Sequence, residues 1–425
     1  MLGGPTFAPG PLRGVLSVPG DKSISHRALI AATCVRQPVS IANLNPGRDV
    51  RATREALAAL GVTIESGATA VTVTGAPLRE PSAPLDCMNS GSTARMLLGV
   101  CAGANVPARF DGDASLRRRP MEPVAAQLRA FGARIETCEG RLPMTFGGTP
   151  GVETRNFILL APSAQVKSAL LFAAAYAGVS ITVGGDRESR DHTERILSYL
   201  GARVRWDGRW VGFHPEPLRA LPIDVPGDFS SAAFFIVAAT ITPGSSIIVR
   251  DVGVNPTRTG LIDALQQMGA RISVRNSRNV SGEPVADVAV EHADLRATVI
   301  GPDLALHAID EIPLLAVAAA FARGETRIDG IAALRSKESD RIAAIERLLG
   351  AVGIPVTVRR SGVAIVGGTP VARGAVVATN DDHRIAMAAA VLACAAGPIA
   401  IDGGDSLDVS FPAFLSTLAS VRAGN

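Results

Sequence analysis

Of the 42 Lys and Arg residues in this 425-residue chain, only three are lysines: Lys22, Lys167 and Lys337. Each falls in a short segment rich in Ser, Asp, Gly or other small polar residues: GDKSISHR, PSAQVKSA and SKESDR. MNSGSTAR, PGDFSSAA and TNDDHRIA share that composition. Such residues start helices, because their side chains accept hydrogen bonds from unpaired backbone N–H groups. The same geometry makes an anion site, with free donors and the positive end of the helix dipole pointing one way. Capping alone does not ask for cations there, since the dipole disfavours them by about 0.3–1 kcal/mol each. Yet these segments gather Lys22, Arg27, Arg95, Lys167, Lys337, Arg341 and Arg384. The pattern predicts a ligand with several negative charges. It also gives the lysines a distinct task. Arg is a planar fork that stays charged, whereas the Lys ammonium is compact and can pass a proton.

The elements that must position these segments repeat along the chain. Six Ala-rich helical runs are each followed by a turn and a β-branched strand. The strands begin near Val39, Val106, Val179, Ser246, Glu325 and Pro398, a period of about 70 residues. A second signature is interleaved with the first: Leu-x-x-apolar-Gly-x-x-β-branched, as in LAALGVTI, LRAFGARI, LSYLGARV, LQQMGARI and, more loosely, LGAVGIPV. It predicts amphipathic helices that end on a glycine and pass straight into a strand. The Ala-rich helices are apolar on nearly every face and are expected in the interior. Six units make two halves of three, with a boundary in LPIDVPGDFSS, where Pro222, Pro226 and Gly227 interrupt the periodicity. The expected halves are residues 21–227, and residues 1–20 together with 228–425, the first strand crossing over near Pro19 to Asp21.

Composition bounds the partners. A length of 425 residues exceeds one ordinary core. The net charge of +3 is too small to argue for nucleic acid or an anionic membrane. The five cysteines form no CxxC, and three lie in apolar surroundings, so they read as reduced thiols of a cytoplasmic protein. The six histidines show no metal-ligand spacing, and no metal is expected. MLGGPTFAPGPLRG has no apolar signal-peptide core.

PGDKSISHRAL, NSGSTARMLLG, RRPM, PSAQVKSALL, RDHTERIL, IDEIPLLAVAAA, SKESDRI and DDHRIAM, in this order, resemble the 5-enolpyruvylshikimate-3-phosphate synthase family, in particular its class II bacterial branch. The resemblance covers nearly the whole chain. It implies an α/β fold of two similar domains, each of three βαβαββ units, with the active site in the cleft between them. It implies transfer of the enolpyruvyl group of phosphoenolpyruvate to the 5-hydroxyl of shikimate 3-phosphate, with release of phosphate. It implies addition and elimination through a tetrahedral intermediate, without cofactor, as a step of aromatic amino-acid biosynthesis; a monomer without nucleic-acid or membrane partners is expected. Shikimate 3-phosphate contacts would fall on Lys22, Ser23, Arg27, Ser163, Ala164 (through its backbone), Gln165, Arg190, Asp310 and Lys337. Phosphoenolpyruvate contacts would fall on Lys22, Asn89, Gly91, Arg119, Gln165, Arg341 and Arg384. Asp310 would act as the base for the 5-hydroxyl. Glu338 would donate the proton to the methylene carbon, with Lys22 assisting. Gly91 leaves room beside the phosphoenolpyruvate phosphate, which implies sensitivity to the anionic competitor glyphosate.

Two positions depart from the family's well-known bacterial form. Val409 in LDVSFP stands where that form has a lysine, and Ala333 stands where it has an asparagine. Lys167 has no assigned role. The related transferase acting on UDP-N-acetylglucosamine carries a reactive Cys before the RP pair. DGDASLRRRP has none, which disfavours that alternative. A non-catalytic module for phosphorylated metabolites would not need both Asp310 and Glu338.

Overall fold

A computed structural model describes residues 5–185, 188–402, 407 and 409–422. The chain divides into two compact units. The N-terminal unit comprises Gly20–Pro226 with Asn279–Glu283. The C-terminal unit comprises Met1–Pro19, Gly227–Arg278 and Pro284–Asn425. The short excursion at 279–283 has no counterpart in the sequence periodicity.

The Ala-rich runs form the interior helices. In the N-terminal unit they are Lys22–Thr33, Gly91–Ala104 and Ala164–Ala177. In the C-terminal unit they are Phe229–Ile241, Ile312–Ala320 and His383–Ala396. A helix apolar on every side has no face to offer water, and every residue of Phe229–Ile241 is buried. Small residues also let helices approach closely. A Cβ on Gly99 would lie 2.2 Å from the carbonyl oxygen of Ala169, and one on Gly103 would lie 2.1 Å from that of Ala173. Two backbones therefore touch over a full turn, and only hydrogen fits between them.

The second signature forms the amphipathic helices Arg48–Ala59, Glu122–Phe131, His192–Tyr199, Gly260–Gln267 and Arg341–Gly350. Each is followed by a glycine at positive φ: Gly61, Gly132, Gly201, Gly269 and Gly353. That conformation turns the chain out of the helix without a Cβ clash.

Among the described residues the strands form six small sheets, five of four strands and one of three. The pattern of Leu85–Asp86, Ala108–Asp111, Arg141–Phe146 and Ile135–Cys138 recurs. The first pair is parallel and is joined through a buried helix, and the next two pairs are antiparallel. One βαβαββ unit thus wraps one interior helix and one amphipathic helix onto a sheet. Among the described residues three sheets borrow a strand from far along the chain, one of them taking Thr6–Phe7 antiparallel to Ile399–Ile401. Arg13–Ser17 runs parallel to Ser246–Gly253, and Ile223–Asp224 runs parallel to Val39–Ala42. Inside the C-terminal unit Asp228 N–H donates to Pro19 O at 2.8 Å, and inside the N-terminal unit Asp21 N–H donates to Pro226 O at 2.8 Å. These bonds fix both helix starts, Asp21 before Lys22 and Asp228 before Phe229. No helix among the described residues is long and apolar enough to cross a membrane.

Candidate active site

In the N-terminal unit three helix starts carry the predicted residues. Asp21 caps the first, its carboxylate accepting from Ile24 N–H at 2.8 Å. Lys22 follows it, with Nζ 2.9 Å from Asp49 Oδ2. Ser90 caps the second through Thr93 N–H, and Gly91 opens that helix. Ser163 caps the third, which begins at Ala164. Gln165, one residue on, receives a 2.7 Å hydrogen bond from Arg95 Nη1 and donates to Ser92 Oγ at 2.9 Å. The second and third helix starts are thereby linked through side chains. Arg119 is buried and donates to Asn89 Oδ1, whereas Arg117 and Arg118 point to solvent.

Arg27 lies deeper. Its Nε donates to Thr193 Oγ1, its Nη2 to Ser168 Oγ and its Nη1 to Ser23 O. Burial depresses its pKa to about 10, against the opposing pull of Glu194. It remains charged, and its polar partners are neutral oxygens. Arg190 approaches Ser23 Oγ at 3.5 Å. Burial, with Lys22 and Arg27 nearby, holds His26 well below the ordinary imidazole value, so it is neutral. It is hydrogen-bonded to Thr53 Oγ1 at 2.7 Å and serves as a packed polar partner.

In the C-terminal unit three predicted residues, Lys337, Arg341 and Arg384, gather around the Asp310 carboxylate together with Arg258. Asp310 lies 3.7 Å from Lys337 Nζ, and 3.8 Å from each of Arg341 Nη1, Arg384 Nη2 and Arg258 Nη1. Arg384 Nη1 also donates to Asp310 O at 2.9 Å. Arg341 is almost completely buried and gripped twice. Its Nε and Nη2 donate to Asp382 at 2.9 and 3.2 Å, and Nη2 also donates to Glu338 Oε2 at 2.6 Å. Burial would raise the Asp382 carboxyl, but Arg341 holds it below the ordinary carboxylate value. The same carboxylate caps the helix at Arg384 N–H.

Cations at helix starts call for an anion to offset them. In the C-terminal unit the chain's own Asp310, Glu311, Glu338 and Asp382 supply much of that compensation. The physical reason is burial: a dry guanidinium needs a paired carboxylate whether or not a ligand is bound. Arg27 of the N-terminal unit fits the original argument better, since neutral oxygens hold it.

Several partners were not singled out from the sequence. Arg258 is buried against Asp228, Asp310 and Glu311. Its NPTRTG segment resembles any polar turn, and only the fold shows it pointing inward. Asp49, partner of Lys22, is equally silent, and Glu311, which reads from the sequence as a helix-start charge beside Asp310, gives no local sign of its contacts with Ser230 and Arg384. Asp382 sits in a quoted motif, yet its grip on Arg341 spans 41 residues. Val409 is half-buried and brings no cation. Among the described residues no group of three or more His, Cys, Asp or Glu side chains is arranged to hold a metal ion.

A family profile described as EPSP synthase (3-phosphoshikimate 1-carboxyvinyltransferase) matches residues 7–418. A 3-phosphoshikimate 1-carboxyvinyltransferase of Anaeromyxobacter sp. (strain Fw109-5) is 46% identical over 420 residues, covering 98% of this chain and 97% of that protein. Its counterpart in Geobacillus kaustophilus (strain HTA426) is 44% identical over 418 residues, covering 96% and 98%. A solved EPSP synthase from Acinetobacter baumannii superposes with a TM-score of 0.86 at 37% identity, covering 98% of each chain.

Proposed function

Because the chain belongs to the EPSP synthase family, a family of transferases, we propose how its own residues carry the enolpyruvyl transfer. The substrates are phosphoenolpyruvate and shikimate 3-phosphate, which together bring two phosphates and two carboxylates. In this reading Lys22, Ser23, Arg27, Ser163, Gln165 and Arg190, with the Ala164 backbone, hold shikimate 3-phosphate together with Asp310 and Lys337. Lys22, Asn89, Gly91, Arg119, Gln165, Arg341 and Arg384 hold phosphoenolpyruvate.

The ring of four cations around Asp310 carries the reading. A base so surrounded is a poor proton acceptor, because the cations favour its ionised form. Substrate anions change this. When phosphate and carboxylate oxygens draw off Lys337, Arg341 and Arg384, the Asp310 carboxylate becomes free to accept the proton of the 5-hydroxyl. Glu338 follows the same logic. Its 2.6 Å contact with Arg341 must open before it can hold and deliver a proton to the methylene carbon. Arg341 turning toward the phosphoenolpyruvate anion opens it. Binding of the second substrate thus arms both proton transfers, and the fixed cations stabilise charge as it develops in the tetrahedral intermediate. We place the reaction in the cytoplasm, where unpaired cysteines such as the five here persist.

Phosphate release tests the reading. It should require both shikimate 3-phosphate and phosphoenolpyruvate and be absent with either alone. Release with UDP-N-acetylglucosamine in place of shikimate 3-phosphate would transfer the chain to the other substrate class. Binding of both metabolites without release would make it a binding module.

A further inference from the structure

Lys167 is the lysine that the proposed reaction leaves without a task. It lies in the first turn of the helix Ala164–Ala177 and is 1% exposed. Its Nζ is 2.7 Å from Glu194 Oε1, at the start of the helix His192–Tyr199. It also donates to Ser189 O at 3.1 Å. Ser189 immediately precedes Arg190, and Glu188 before it adopts a positive φ of 61°. A non-glycine residue in that conformation needs its surroundings to hold it. The neighbours of the pair continue the network. Ser168 and Thr193 are hydrogen-bonded at 2.7 Å, and both accept from Arg27.

The plain alternative is a structural ion pair. Buried pairs are weak sources of stability, and apolar side chains of similar volume often serve as well or better. What an apolar pair cannot do is donate to a carbonyl. Nor is an arginine equivalent, since its planar fork is larger than a compact ammonium with three donors. We propose that Lys167 is a positioning residue for the phosphate of shikimate 3-phosphate. It ties the Ser189 carbonyl to the helix start that presents Ser163, Ala164 and Gln165, and so fixes where Arg190 meets the substrate. Glu194 compensates the buried ammonium. The inference rests on the reading that Arg190 contacts shikimate 3-phosphate.

Steady-state kinetics of the full chain test it, with K167M/E194Q as the central variant because it leaves no buried ammonium unpaired. The KM for shikimate 3-phosphate should rise about tenfold, the loss of one well-placed charged contact. The KM for phosphoenolpyruvate and kcat should stay within about twofold. E194Q alone should lower the melting temperature yet raise that KM no more than about threefold, because Lys167 still holds Ser189 O. Adding K167M/E194Q to R190Q should raise the KM for shikimate 3-phosphate no further, since the effect passes through Arg190. A wild-type KM in K167M/E194Q overturns the proposal, as does a parallel rise for both substrates or full additivity with R190Q. An R190Q variant with unchanged KM overturns the underlying contact and the proposal with it. That result is distinct from a silent K167M/E194Q beside an impaired R190Q.

Discussion

Gly91→Ala brings a methyl group up against the end of the Arg95 side chain. The new Cβ would stand 2.5 Å from Arg95 Nη1 and 3.6 Å from Arg119 Nη1. Ordinary contact begins near 3.4 Å, so the Arg95 guanidinium must withdraw by about 0.9 Å, while Arg119 can stay. A movement of that size directed along the 2.7 Å bond from Arg95 to Gln165 stretches it to about 3.6 Å, past hydrogen-bonding range. A hydrogen bond to a charged group contributes about 1.5–3 kcal/mol, which at about 1.4 kcal/mol per tenfold corresponds to roughly 10–150-fold in affinity where Gln165 meets ligand. Glyphosate has one more chain atom between its acidic ends than phosphoenolpyruvate, so it needs the lost space more. The assay is phosphate release at varied phosphoenolpyruvate, with and without glyphosate. The KM for phosphoenolpyruvate should rise at the lower end of the range and the inhibition constant should rise further, with kcat within a few-fold of wild type. Equal factors for both, or no change in either, would refute the steric argument.

Asp382→Asn removes the buried partner of Arg341 and should cost about 3–5 kcal/mol. At about 2–4 °C per kcal/mol for a body of this size, differential scanning calorimetry should show a loss of roughly 6–20 °C; a change under 2 °C would mean that Glu338 alone suffices. Asp310→Asn should lower kcat by about 10²–10⁴-fold, as for loss of a general base, while shikimate 3-phosphate binds at least as tightly because four cations lose a competitor. Turnover within tenfold of wild type would remove Asp310 from the chemistry. Stability should fall as pH drops below about 6.5, because the unfolded chain then takes up a proton that folded His26, with its depressed pKa, refuses. The slope from this group is at most about 1.4 kcal/mol per pH unit, and melting curves of His26→Gln should show a shallower acid decline. An identical decline would assign it to other groups.

Much of the fold was legible because periodicity reports burial directly. The Ala-rich runs could not tolerate water on any side, and the glycines after the amphipathic helices announced their φ values. The helix-start residues were equally visible, since capping chemistry is local. What stayed hidden was pairing across distance. Nothing near Arg258 says that Asp310 faces it, and nothing in DDHR says that Asp382 serves Arg341 as well as its own helix. Those facts depend on several helix starts converging, which one-dimensional spacing does not encode. The demand for an external anion was overstated in the C-terminal unit for the same reason: the compensating carboxylates lie tens of residues away.

The parallel pairing of Arg13–Ser17 with Ser246–Gly253 also governs biogenesis. Translation at about 5–20 residues per second delivers the earlier strand some 10–45 s before its neighbour emerges. Throughout that interval a ribosome-bound chain carries an edge with nothing to zip onto. The strand is short, and Arg13 and Gly14 at its head blunt its appetite for foreign β-structure.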